Sequence, residues 1–87
     1  MDKKVEEALI CTMEECGEVI QACSKMIRTD GDAKYHKNLQ DEIGDVMCMI
    51  EILHMAGLLD EKKLLRRMKN KKRKLEKWST LFDETEV

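Results

Sequence analysis

The chain has no proline, only four glycines in 87 residues, and aromatics at just 3%. Without proline, nothing in the backbone chemistry forces a helix to end or kink. With so few aromatics, there is no set of rings on which single-stranded bases could stack. No apolar run approaches the length needed to span a bilayer, and "MDKKVEEALI" mixes acids with bases instead of supplying the apolar core of a signal peptide. A cytoplasmic protein whose mature chain is the whole chain is therefore expected. The four cysteines, Cys11, Cys16, Cys23 and Cys48, form no C-x-x-C pair; three recur at helical spacing in one segment, as reduced thiols that pack like small apolar side chains. Strand-like alternation, a linker and a glycine-rich phosphate loop are all missing. "DGDAKYHKNLQD" fails as a calcium loop because Tyr35 stands where glycine is needed.

What the chain does have is charge, on 39% of its residues, and abundant Leu, Ile, Met, Glu and Lys, the composition of helices with wet outer faces. The net charge is only −2, yet residues 62–77, "KKLLRRMKNKKRKLEK", hold ten of the sixteen basic residues and one acid. An acidic body thus precedes a basic C-terminal segment, which is either a solvated helix face or a surface for anions. A chain this short forms one domain and buries only about 60–65% of its unfolded surface, so its own core is thin and a partner subunit is expected.

Val5, Leu9, Met13, Cys16, Ile20, Cys23 and Ile27 step by four and three, predicting a helix over 3–28 with that stripe buried, and "RTDGD" ends it. Leu39, Ile43, Val46, Ile50, Leu53 and Gly57 predict a second helix over 33–56. Leu65, Met68, Leu75 and Phe82, with Trp78 beside them, predict a third over about 60–80, opened by Asp60 as N-cap. The expected fold is all-α: an antiparallel bundle of three helices per chain, completed by oligomerisation, with a single domain over 1–82 and a frayed tail over 83–87.

The acids fall in a pattern on these helices. Cys11, Glu15, Glu18, Ala22 and Met26 form a row beside the first stripe, and Glu42, Asp45, Met49, Ile52 and Ala56 form the equivalent row on the second helix. Packed antiparallel or crossed, the two rows bring four carboxylates together beside an apolar patch. Like charges so placed repel and lose hydration, so a cation is expected among them. Oxygen ligands of this kind suit a hard divalent ion, Mg²⁺ or in its place Mn²⁺.

Glu14-Glu15-x-x-Glu18, a gap of 23 residues, then Glu42-x-x-Asp45 resembles the E-E-x-x-E…E-x-x-D signature of the MazG-like all-α nucleoside triphosphate pyrophosphohydrolases, and the resemblance runs from about residue 9 to 75. It implies metal-dependent hydrolysis of a (deoxy)nucleoside triphosphate to monophosphate and pyrophosphate. It also implies Mg²⁺ on Glu15, Glu18, Glu42 and Asp45, with Glu14, turned about 100° away, either orienting the attacking water or supporting the ligands from behind. Relatives carry N-x-K-F-x-x-R on the helix after the acids. Here Lys71 keeps the positive charge at its matching position and Lys74 supplies one a residue ahead of the Arg position, while Lys69 and Lys72 replace the Asn and Phe. Lys25 and Arg28, beyond Glu18, are further phosphate candidates, and Met49 and Ile52 are candidates for a base pocket. Ile52 stands where relatives often have an Asn that reads the base, and the extra N-terminal helix of many relatives is not seen.

Two other readings compete. The basic helix suits a nucleic-acid-binding or regulatory module, which explains residues 62–77 but not the acids. Glu51-Ile52-Leu53-His54 is the E-x-x-H element of ferritin-like di-iron bundles, although His54 lies on the opposite flank from Glu42 and Asp45. His36 falls in a polar connecting segment and carries no signal. The expected partners are a nucleoside triphosphate and further copies of the chain, as homodimer or dimer of dimers, with neither nucleic acid nor membrane.

Overall fold

In the computed structural model, which describes residues 1–83, three helices follow one another: α1 (Lys3–Arg28), α2 (Ala33–Met55) and α3 (Glu61–Trp78). No strand occurs among the described residues, and none of the helices is long and apolar enough to cross a membrane. Residues 84–87, most of the expected tail, lie outside the described residues.

Each helix begins on an aspartate. Asp2 accepts from the backbone N–H of Lys4 and Val5, Asp32 from that of Lys34, and Asp60 from that of Lys63 at 3.1 Å, satisfying donors that no helical carbonyl can reach. The C-terminal ends are as well defined. At the end of α2, Gly57 takes φ 78°, its N–H bonds the His54 carbonyl, and the Leu58 N–H bonds that of Leu53. At the end of α1 the left-handed position falls to Asp30 at φ 54°, while the N–H of Gly31 reaches the Met26 carbonyl at 2.9 Å. A short polar side chain tolerates that conformation better than most. The four-residue connection that results folds α2 back along α1.

This α1–α2 hairpin is the packed part of the molecule; α3 makes only slight contact with it. The three expected helices are formed and two of them pack as an antiparallel pair, while α3 is left largely unpacked within the single chain. The radius of gyration is 15.7 Å, against about 12 Å for a compact chain of this length. The shortest dimension, 15 Å, is little more than one helix diameter, so the chain is a single layer.

The buried face of α1 also differs from the expected stripe. Met13, Ile20 and Ile27 are 72%, 70% and 82% exposed, and Cys16 and Cys23 are exposed as well. The face turned to α2 is the neighbouring row of Ala8, Cys11, Glu15, Val19, Ala22 and Met26, with both alanines buried. The apolar arc of α1 is wider than one helix can cover, and small alanine side chains let the α2 backbone come close on that flank. From α2 the hairpin uses Leu39, Glu42, Val46, Met49 and the buried Leu53. On α3 only Leu75 is half-buried; Leu65, Met68 and Trp78 stay exposed, as does Phe82 beyond the helix end.

Candidate active site

Because the hairpin packs through the acid rows, the acids lie in its seam. One carboxylate oxygen each from Glu15, Glu42 and Asp45 lie within 4.8 Å of one another, Glu15 and Glu42 half-buried and Asp45 exposed. Glu18 is exposed one turn further along α1, and Glu14 is exposed on the adjacent flank. Both still act on Glu15. Partial burial holds the Glu15 carboxyl above its ordinary value, and Asp45, Glu42, Glu18 and Glu14 each push it further up. Of the five acids singled out in the sequence, four therefore surround the carboxyl of the fifth. Asn38, one turn before Glu42, brings its amide to 3.5 Å from the Glu42 carboxylate. Among the described residues none of the five acids has a basic partner; the ion pair found there is Lys37–Asp41 at 3.0 Å, on the exposed face of α2.

The arrangement fits a divalent cation. Oxygens on opposite sides of Mg²⁺ stand about 4 Å apart and adjacent ones about 3 Å, so small side-chain rotations close the observed span. The donors are hard oxygens, they carry excess negative charge, and the open side of the cluster leaves room for water or phosphate. His54 joins no such grouping among the described residues. It faces instead a hollow of about 400 Å³ at the α2–α3 junction, with Met47, Ile50, Glu51, Glu61 and Leu64.

A hollow flanks the acids on each side along the seam. Toward the start of α1, Met49 and Ile52 line an apolar one of about 310 Å³ with Lys4, Glu7, Ala8 and Cys11. Toward the α1–α2 connection, Lys25 lines a cationic one of about 410 Å³ with Lys34, Tyr35, Lys37, Asn38 and Asp41. Sequence reasoning named Met49, Ile52 and Lys25 but missed Lys4, Glu7, Lys34, Tyr35, Lys37 and Asn38. The signal was available: continuing the acid rows by three and four residues, backward from Glu15 and from Glu42, reaches Cys11, Ala8, Glu7 and Lys4, and Asn38, Tyr35 and Lys34.

The remaining cationic candidates are not gathered at the acids by this chain alone. Arg28 is exposed in the last turn of α1. Lys71 lines a hollow made by α3 residues alone, with Arg67, Met68 and Lys72, and Lys74 is exposed on the same helix.

Comparison with curated proteins and with solved structures gave no match. The model of one protein family, the MazG nucleotide pyrophosphohydrolase domain, matches residues 3–79. That span holds all three helices, the five acids and both flanking hollows, and on its extent the chain belongs to the MazG nucleotide pyrophosphohydrolase family.

Proposed function

We propose that the chain hydrolyses a (deoxy)nucleoside triphosphate to the monophosphate and pyrophosphate, with Mg²⁺ as its metal and Mn²⁺ as a substitute. The observation that carries this reading is the crowding of Glu15 by Asp45, Glu42, Glu18 and Glu14 with no basic partner among the described residues. A fold gains nothing from such repulsion, whereas a cation-dependent site needs it. Glu15, Glu42 and Asp45 would hold the ion, with Glu18 completing the set. When bound, the ion supplies neutralisation of the acids, polarisation of a phosphoryl oxygen and a lowered pKa for water.

The chain's own residues do the rest. Glu14, on the flank of α1 adjacent to Glu15, accepts a hydrogen bond from the attacking water and takes up its proton. The water oxygen bonds to the α-phosphorus; the bond from that phosphorus to the α–β bridging oxygen breaks, and its electron pair departs with pyrophosphate. Met49 and Ile52 offer the base an apolar wall, which favours nucleobases without fixing which one. Lys71 and Lys74 would reach the phosphates from a neighbouring chain, given that α3 stands clear of its own hairpin.

Assembly follows from the same geometry. A single layer that leaves Met13, Ile20 and Ile27 exposed has half of a core, and a second copy supplies the other half, giving a homodimer or a dimer of dimers. The competing nucleic-acid-binding reading accounts for the exposed bases of α3 and leaves the five acids without a purpose. Incubating the protein with each triphosphate, in Mg²⁺ or in EDTA, and resolving products by anion exchange tests the proposal. Monophosphate and pyrophosphate, formed only with metal, are expected; diphosphate plus orthophosphate, or turnover in EDTA, would refute it.

A further inference from the structure

The cationic hollow at the α1–α2 connection has no part in the acid cluster, and none of its lysines lies on the basic helix. We propose that Lys25, Lys34 and Lys37 in this hollow seat the β- and γ-phosphates, the portion of the substrate that leaves as pyrophosphate. The inference rests on the pyrophosphohydrolase reading and assigns the phosphate end of that same site.

The order of features along the hairpin seam carries it. An apolar hollow at Met49 and Ile52, the acids at Glu15, Glu42 and Asp45, and the lysines around Tyr35 succeed one another in a line. A nucleoside triphosphate has the same order: an apolar base, the phosphorus under attack, then the most highly charged end. Asn38 joins the acids to the hollow, since its amide lies 3.5 Å from Glu42 and its side chain also lines the cavity. One helical turn, about 5 Å, separates Glu42 from that wall, so phosphates running on from the acids enter the hollow directly.

The hollow is arranged for an anion. The Lys25 ammonium lies 5.9 Å from the centre of the half-buried Tyr35 ring and that of Lys34 5.3 Å from it, so one aromatic ring holds a lysine from each helix in place. Lys34 and Lys37 stand in the first turns of α2, where the helix dipole adds positive potential. The one acid in the wall, Asp41, is paired with Lys37 at 3.0 Å, and both side chains are exposed, so the pair is weak enough for Lys37 to be shared with a phosphate. As the α–β bond breaks, charge accumulates on the departing pyrophosphate, where these ammonium groups oppose it.

Sodium pyrophosphate titrated calorimetrically into the full chain in Mg²⁺ tests the assignment, with a nucleoside monophosphate as second probe. In Lys25→Gln and in the double variant Lys34→Gln/Lys37→Gln, pyrophosphate affinity should fall about five- to tenfold while that for monophosphate changes less than twofold. Lys34 and Lys37 are exposed and Lys25 half-buried, and glutamine keeps most of each aliphatic stem, so the variants fold. Wild-type affinity for pyrophosphate in both variants, equal losses for the two probes, or no pyrophosphate binding by the wild type would overturn the proposal. Absence of triphosphate hydrolysis by the wild type would instead refute the pyrophosphohydrolase reading, and the titration distinguishes the two.

Discussion

Glu15 is the residue on which the site's electrostatics converge, and its behaviour without metal can be worked out. Burial and four neighbouring acids make the folded chain hold its proton more tightly than the unfolded chain does. As pH rises above the ordinary value of 4.5, Glu15 therefore takes stability away from the metal-free fold, and that stability returns as pH falls back through the same range. Glu15→Gln should raise the metal-free melting temperature at pH 7, with the advantage shrinking toward pH 4; a gain independent of pH would mean that the neighbours do not act on it. Mg²⁺ should raise the melting temperature of wild type more than that of the variant. On the proposed reading, turnover should fall by at least about 100-fold in the variant, since a ligand would be lost rather than a group behind one. Four of the acids, Glu15, Glu18, Glu42 and Asp45, were legible as a cluster because like charges repeated on two helical rows have no structural use, and Glu14 entered only through the family motif. Lys34 and Tyr35 continue the row back from Glu42 but went unread, and Lys37 lies off that row; lysines near a helix start are ordinary in isolation and acquire meaning when the hairpin sets them against Lys25.

At the level of the helices, two glycines separate local cost from tertiary gain. Gly17 and Gly44 lie inside α1 and α2, and a methyl group added at either meets nothing within 4 Å in the chain. Each gives up about 1 kcal/mol of helix propensity relative to alanine with no close approach in the hairpin to offset it. Gly44→Ala should therefore raise stability in urea by about 0.5–1 kcal/mol; a loss would place another helix against that face. Gly57 is the opposite case. At φ 78° it ends α2 in a conformation that alanine resists, and Gly57→Ala should cost about 1 kcal/mol in the same measurement. The ends of the helices were legible within about two residues, since breakers and caps are local chemistry. The N-caps Asp2 and Asp32 went unread, although each is an aspartate just ahead of its helix. Which face of α1 meets α2 was not legible, because periodicity marks an apolar arc without saying which flank of it the neighbouring helix covers.

The whole molecule is a layer 15 Å thick that exposes, on its first helix, the stripe a sequence reading takes for its core. That reading and the structure agree if the stripe is a core shared between chains: Met13, Ile20 and Ile27 have the spacing of a buried face and lack only something to bury them. A second hairpin laid across this face leaves the acid seam and both hollows, which lie on the adjacent flank, to form within each chain. It also offers α3, with its exposed bases, to the neighbour's site. Ile20 stands in the middle of the stripe and is the sharpest test. Light scattering on the wild type should give a multiple of the 10.2 kDa chain mass. Ile20→Asp, which puts a charge where about 1.5–3 kcal/mol of apolar burial per chain is expected, should shift it toward the single chain at micromolar concentration and lower its melting temperature. Ile20 is 70% exposed, so an intact oligomer in this variant would mean that the copies meet through another surface, whereas a 10.2 kDa wild type would mean that the exposed stripe covers something other than a second copy.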